Sequence, residues 1–147
     1  MMIRQIHILA MVALGVFAAC APPPLTIDLV RSQNRERLTK LSVGMSKDEV
    51  LSVMGTETIQ TQVRVGTGIY ATNQDLMRVT NPWRSETLKS KEGVFVEVLY
   101  YLTDMKAADN AVTDDELTPI VLEDSAVVGW GWAFLDANVD KYEIRIR

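Results

Sequence analysis

Two kinds of hydrophobic pattern divide the chain, a helical spacing before residue 55 and strand-like runs after it. In the segment 34–41, Leu38 and Leu41 lie three positions apart among charged residues, which favours one side of a short helix. Gly44 follows, and its backbone freedom suits a turn at the end of that helix.

The segment 45–55 predicts a second, well-capped helix. Ser46 and Glu49 have the S-x-x-E spacing of a capping box, in which each residue satisfies a free backbone amide of the first turn. Gly55 stands directly after the apolar positions, where a left-handed residue commonly ends a helix. By itself this pattern predicts a short helix that packs on a core.

The remainder of the chain predicts strands. The stretch 69–88 has weak periodicity and contains a turn at Asn81–Pro82, and Asp124–Ser125 predicts a hairpin turn. Apolar, β-branched or alternating runs predict strands at 58–65, 94–103, 117–123, 126–135 and 141–147, the last of them as an exposed edge. The prediction is an α+β fold, with two short N-terminal helices packed on a small antiparallel sheet of three to five strands.

The N-terminal segment 1–19 has the layout of a secretory signal peptide. A short start containing Arg4 precedes an apolar stretch, which is too short to span a bilayer comfortably, and small residues follow it. The sequence Phe17-Ala-Ala-Cys20 resembles the lipobox of bacterial lipoproteins, which implies cleavage before Cys20 and lipidation of its sulfur. The alternative is a plain signal peptide followed by an incidental cysteine.

Three prolines, residues 22–24, follow the cysteine and favour an extended polyproline II tether. By resemblance to Gram-negative lipoproteins, Ala21 at the position after the cysteine favours the outer membrane over the inner one. The predicted organisation is a lipoprotein signal peptide at 1–19, a lipidated Cys20 with its tether over 20–33, and one α+β domain over 34–147.

Charge and residue counts exclude several functions. The chain has 15 Lys and Arg against 19 Asp and Glu, and this acidic balance argues against nucleic-acid binding. One cysteine forms no internal disulfide, and the single histidine, His7, lies in the predicted signal peptide. We therefore predict no enzyme activity, no cofactor and no metal site, and keep an unrecognised carboxylate mechanism as a weaker alternative.

An acidic segment over 105–116 has two interpretations. With Asp104 it offers several carboxylates, which are ligands that Ca²⁺ accepts, but it lacks the D-x-[DN]-x-[DN]-G order of a calcium loop. A solvated surface loop is the favoured interpretation.

Aromatic residues supply the candidate partner contacts. Trp130, Trp132 and Phe134 alternate, so a strand would place them on one face, either as core or as a partner-binding patch. Trp83 and Arg84 follow the predicted turn and are candidates either for partner contact or for a lid on the core. The predicted partner-binding residues are thus Trp83, Arg84, Trp130 and Trp132.

The segment 34–55 resembles the SmpA/OmlA family of outer-membrane lipoproteins. The shared pattern is a short helix followed by Gly44, Met45, Ser46, Glu49, Val50 and Gly55. The resemblance implies a periplasmic, lipid-anchored α+β domain that binds envelope or outer-membrane assembly proteins. The alternative from a different class is a periplasmic ligand-binding or inhibitory module that uses the loop from Ile69 to Leu88 and the acidic loop.

Overall fold

The computed structural model describes residues 26–65, 73–90, 92–107 and 111–142. The predicted signal peptide, Cys20 and the three prolines lie outside these residues. The described elements are α1 (Ile27–Leu38), α2 (Lys47–Met54), β1 (Thr58–Val65), β2 (Asn73–Thr80), β3 (Arg84–Lys89), β4 (Phe95–Leu102), a 3-10 turn (Asp114–Glu116), β5 (Leu117–Glu123), β6 (Ala126–Trp130), α3 (Trp132–Ala137) and α4 (Val139–Tyr142). In the described part of the chain, no helix is both long enough and apolar enough to cross a bilayer.

The strands form two antiparallel sheets. β1 and β2 make a two-stranded sheet, and the other four strands make a sheet in the order β3-β4-β5-β6. Every strand pair in both sheets is antiparallel. The predicted α+β class is confirmed.

The first helix begins earlier than the sequence pattern indicates. Thr26 caps it, since its hydroxyl accepts a hydrogen bond from the Leu29 amide at 3.2 Å. Ile27 and Val30 are buried on the inner side of this helix. Residues 27–33, which the sequence placed in the tether, are therefore helical: the N-cap Thr26 directly precedes them, and two buried apolar residues lie within them.

The capping box of α2 is confirmed. The Ser46 hydroxyl accepts from the Glu49 amide at 3.3 Å, and the Glu49 carboxylate accepts from the Ser46 amide at 2.8 Å. Gly55 follows α2 with φ 81° and ψ 161°. Its φ is positive as predicted, but its ψ lies outside the left-handed helical region.

The central strand β4 is buried on both faces. Because side chains alternate along a strand, even-numbered and odd-numbered residues of β4 point to opposite sides of the sheet. Val96, Val98, Tyr100 and Leu102 belong to one hydrophobic cluster, whereas Leu99 and Tyr101 belong to another. The four-stranded sheet thus separates two cores.

Different elements supply the two clusters. The first contains buried residues of α1, β2, α3 and α4: Ile27, Val30, Met77, Val79, Leu135 and Tyr142. The second contains Leu41 with Val50 and Met54 of α2, next to Ile120, Leu122 and Val127 of the sheet. The buried apolar residues of α1 and α2 therefore lie in cores on opposite sides of β4, although Leu38 at the end of α1 packs against the second cluster. The sequence pattern led us to expect both helices on one face.

Two predicted strands need correction, as does one stretch for which no element was predicted. The run over 126–135 is a strand only to Trp130, because Gly131 has φ +84° and the chain turns there into α3. Lys141 and Tyr142 lie in α4 rather than in a C-terminal edge strand, and residues 143–147 lie outside the described residues. The stretch 69–88, which predicted no element, contains β2 and all of β3 except its last residue, Lys89.

A buried pair of amide side chains joins α1 to the sheet. The Asn34 Nδ2 donates to Asn81 Oδ1 at 3.1 Å and to the Leu102 carbonyl at 2.8 Å. In return, Asn81 Nδ2 donates to Asn34 Oδ1 at 3.0 Å. Asn34 is completely buried and Asn81 is 5% exposed. Since buried polar groups are costly when unpaired, this pair fixes α1 at one position against the end of β4.

We expect Asn34→Ala to lower the free energy of unfolding by about 3 kcal/mol, because it leaves Asn81 and the Leu102 carbonyl without their partner. Ser32→Ala, at an exposed position of the same helix, is the matched control and should stay within about 0.5 kcal/mol of the native protein. Urea denaturation measures both values. Equal effects of the two substitutions would contradict the role given to the amide pair.

Candidate functional site

Arg84, Tyr100 and Trp132 form one stack on the outer part of the first cluster. The guanidinium carbon of Arg84 lies 4.1 Å from the centroid of the Tyr100 ring. The Tyr100 and Trp132 rings lie 6.1 Å apart and are tilted by 41°. The register of the sheet sets this arrangement, since Arg84 on β3 pairs directly with Tyr100 on β4.

Carboxylates hold the cationic end of the stack. Arg84 Nη1 lies 2.9 Å from Asp114 Oδ1, and Arg84 Nε lies 3.6 Å from Glu86 Oε1. Partial burial opposes the charge of Arg84, but the hydrogen bond and ion pair with Asp114 prevail and raise its pKa. Burial, with the nearby charge of Glu86, raises the pKa of Tyr100. At neutral pH the stack therefore contains a charged guanidinium over a neutral phenol.

Trp132 also borders a surface groove at the end of β4 and the start of β5. Its indole Nε1 donates to the Leu117 carbonyl at 2.7 Å, which fixes the ring. The groove has a volume of about 360 Å³. Its lining residues come from α1, the segment after β4, the 3-10 turn, β5 and α3: Arg35, Leu38, Thr103, Asp104, Asp115, Leu117, Thr118 and Trp132.

Polar groups of the groove have defined partners or remain open to solvent. Arg35 Nη1 donates to the Thr103 carbonyl at 2.5 Å, so this guanidinium supports the groove wall. The side chains of Asp104 and Asp115 are 54% and 65% exposed. A hydrogen bond from Thr113 lowers the pKa of Asp115. The groove thus combines an apolar floor with two exposed carboxylates, each of which lies near a cation: Asp104 Oδ1 is 3.8 Å from Arg31 Nη1, and Asp115 Oδ2 is 3.8 Å from Lys106 Nζ.

The acidic segment is ordered by a buried carboxylate. Glu116 is 2% exposed and accepts hydrogen bonds from the backbone amides of Lys106, Ala107 and Thr113. This side chain is therefore an internal support of the loop and not a surface group. Within the residues that the structure describes, no group of three or more acidic, histidine or cysteine side chains is placed to hold a metal ion.

The four predicted partner-binding residues do not form one surface. Trp83 and Trp132 pack against the first cluster, and Arg84 stacks next to them, whereas Trp130 packs against the second cluster. Trp130 ends β6 and Trp132 begins α3 after Gly131, so the predicted single stripe of Trp130, Trp132 and Phe134 is wrong. Phe134 lies against Gly129, where an added Cβ would overlap its ring.

Tyr100 and Leu117 were not among the site residues predicted from the sequence, and Asp114 was predicted only as one of several carboxylates in the acidic segment. Tyr100 joins Arg84 to Trp132, Asp114 pairs with Arg84, and Leu117 anchors the indole through its carbonyl. The continuous apolar run of β4 predicts a strand but assigns no face to Tyr100, and the partner of Tyr100 depends on pairing with a strand that the pattern did not reveal.

The fold and the site together define a small α+β domain with an open groove at one end of its sheet. A family model described as a protein of unknown function (DUF3192) matches residues 27–137, and the chain belongs to this family. The match overturns the expected membership of the SmpA/OmlA family, whose resemblance rested on the local pattern of a capped helix within 34–55. Searches of curated proteins and of solved structures found no match to the chain.

We expect Arg84→Lys to lower the free energy of unfolding by about 1 kcal/mol, because a lysine loses the planar stacking on Tyr100 and the forked contact with carboxylates. Arg78→Lys on the exposed side of β2 is the matched control and should change stability by less than about 0.5 kcal/mol. Chemical denaturation monitored by tryptophan fluorescence checks both. If the two variants are equally stable, the stack contributes nothing beyond an ordinary surface cation.

Proposed function

We propose that this protein is a non-enzymatic lipoprotein of the outer membrane, anchored on its periplasmic face, whose domain binds another envelope protein. In this role it assists outer-membrane assembly or the integrity of the envelope. The observation that carries the proposal is Cys20, which follows a signal-like segment and precedes the first helix by only a few residues.

The spacing between the cysteine and the domain supports a surface-bound role. Thr26, the cap of α1, stands six positions after Cys20, and an extended chain of six residues spans about 19 Å. A lipid on Cys20 would hold α1 and the adjoining groove close to the membrane surface. Several acyl chains on one cysteine suffice for stable anchoring, because each buried methylene contributes about 0.8 kcal/mol.

The groove is the surface that we assign to the partner. Its apolar floor of Leu38, Leu117 and Trp132 and its carboxylates Asp104 and Asp115 fit a chain segment with apolar and basic side chains. Two short N-terminal helices packed on the antiparallel sheet serve in this proposal as the rigid support of the groove. The absence of histidine after residue 7 and of cysteine after residue 20 agrees with binding rather than catalysis.

We expect Cys20→Ala to move the protein from the membrane fraction to the soluble periplasmic fraction, because the substitution removes the sulfur that carries the lipid. Fractionation of cells that express the full chain measures this distribution. Mass spectrometry of the native N-terminus is expected to show a peptide that begins at Cys20 with added acyl mass. A native protein found in solution with an unmodified cysteine would overturn the anchored function.

We expect the double variant Asp104→Lys and Asp115→Lys to reduce crosslinking to the envelope partner several-fold, because it reverses the charge of the groove rim. The matched control, Asp136→Lys with Asp140→Lys, reverses two exposed charges on α3 and α4 and should retain the native level. Quantitative crosslinking in intact membranes compares the three proteins, and thermal unfolding confirms that each is folded. Equal loss in both double variants would exclude the groove as the contact surface.

A further inference from the structure

The two edges of the four-stranded sheet differ in their coverage. At the β6 edge the segment 44–47 lies beside the strand and occupies its backbone groups. The Gly44 amide donates to the Val127 carbonyl at 2.8 Å, and the Val127 amide donates to the Met45 carbonyl at 2.8 Å. The backbone amide of Lys47 donates in the same way to the Ser125 carbonyl at 2.9 Å. This edge is therefore closed to an added strand.

The opposite edge, on β3, has no pairing strand among the residues that the structure describes. β3 pairs with β4 along its whole length, from Arg84 opposite Tyr100 to Lys89 opposite Phe95. Across the ranges described here, no hydrogen bond from another segment reaches the outer side of β3. Ser85, Glu86 and Thr87 are exposed. An unpaired edge of this kind presents a row of backbone donors and acceptors to any extended chain beside it.

One end of this edge has a lysine and an exposed aromatic ring next to it. The Lys89 ammonium lies 5.9 Å from the centroid of the Phe95 ring, and Phe95 is 64% exposed. No carboxylate in the described part of the chain forms an ion pair with Lys89, whereas Arg84 at the other end has Asp114 and Glu86. The edge therefore favours an acidic residue opposite Lys89.

We propose that the outer edge of β3 binds an extended segment of another protein as an added antiparallel strand, with a carboxylate opposite Lys89 and a β-branched apolar residue opposite Leu88. Main-chain hydrogen bonds would supply the affinity, and the alternating side chains would supply the choice of partner. The inference names a second contact surface for the protein-binding function proposed above and rests on that function for its biological setting.

A second copy of this chain fits the edge less well than a different partner. Antiparallel pairing of two β3 strands keeps each side chain on its own face of the joined sheet, and Glu86 and Lys89 point to opposite faces. No such pairing places Glu86 opposite Lys89. If the β3 strands of two copies paired with Glu86 at the centre, the Glu86 carboxylates of the two copies would lie directly opposite each other, which is destabilising.

A synthetic peptide that complements β3 tests the proposal. The peptide Glu-Val-Thr-Lys-Thr-Glu, extended by one glycine at each end, pairs in antiparallel orientation. Its six residues then lie, in order, opposite Lys89, Leu88, Thr87, Glu86, Ser85 and Arg84. Added to the full lipidated chain in detergent micelles, it should slow hydrogen exchange of the β3 amides, measured by NMR. The charge-inverted peptide Lys-Val-Thr-Glu-Thr-Lys should bind roughly tenfold more weakly, because three favourable cross-strand pairs become like-charge pairs.

Methylation of the peptide backbone separates strand addition from simple charge attraction. Successive amides of a strand point to opposite sides, so alternate amides of the bound peptide face β3 and the others face away from it. N-methylation of the amides that face β3 should abolish binding, and N-methylation of the others should leave it intact. Lys89→Glu, an exposed substitution, should reverse the preference for the residue at the first peptide position. Equal effects of the two methylated sets, or no protection of β3 at millimolar peptide, would overturn the proposal.

The remaining outcomes are equally decisive. Protection of β3 that depends on protein concentration without peptide would assign the edge to a second copy and overturn the proposal. Failure of the Cys20 and groove experiments would overturn the anchored, groove-binding function but would not alter peptide binding at β3. The two proposals therefore fail separately.

Discussion

The double-sided burial of β4 is the constraint on which the rest of the structure depends. A strand with apolar residues on both faces needs covering layers on both sides of its sheet. Val98 and Tyr100 meet residues of α1, the β1–β2 sheet and α3, whereas Leu99 and Tyr101 meet α2. Because one chain of modest length supplies both layers, its elements are committed to the core, and little of it is left to cover the ends and edges of the sheet.

That commitment creates both candidate binding surfaces. The groove lies where β4 ends and β5 begins, since Leu38, Leu117 and Trp132 belong to layers on different sides of the sheet and meet only at its end. The segment 44–47, which leads directly into α2, lies along the β6 edge and closes it. No described segment does the same at the β3 edge. Both surfaces are consequences of how the two cores are covered.

Local patterns predicted those elements whose cause lies within a few residues. The capping box of Ser46 and Glu49, the turn at Asp124–Ser125 and the apolar runs of β4 and β5 depend on short-range chemistry, and they are confirmed. β3 gave no signal because it is an edge strand with mostly exposed side chains, which lack alternation. The resemblance within 34–55 misled for a related reason: a capped helix between two glycines is a local physical solution that does not identify a family.

The candidate site could be predicted only in fragments, because pairing between distant strands builds it. The sequence indicated Arg84 as a cation in a loop and Trp132 as an aromatic residue in a strand. Tyr100 joins the two, and its contact with Arg84 depends on the register of β3 against β4. Gly131 had the decisive effect on the aromatic residues. Because its positive φ turns the chain, Trp130 packs against the second cluster and Trp132 packs against the first, on the other side of the sheet. The two tryptophans therefore do not form the stripe that the sequence pattern predicted.

The position of α1 relates the two surfaces to the membrane. Asn34 and Arg35 bind the carbonyls of Leu102 and Thr103, so α1 crosses the end of the sheet where the groove lies. Lys89 and Phe95 lie at the other end of β4, about 24 Å away along the strand. With a lipid on Cys20, the short tether would hold the groove near the bilayer, while the Lys89 end of β3 would extend away from it. A partner embedded in the membrane would then meet the groove, and a partner with an extended soluble segment would meet the open edge, so that one small domain could join the two.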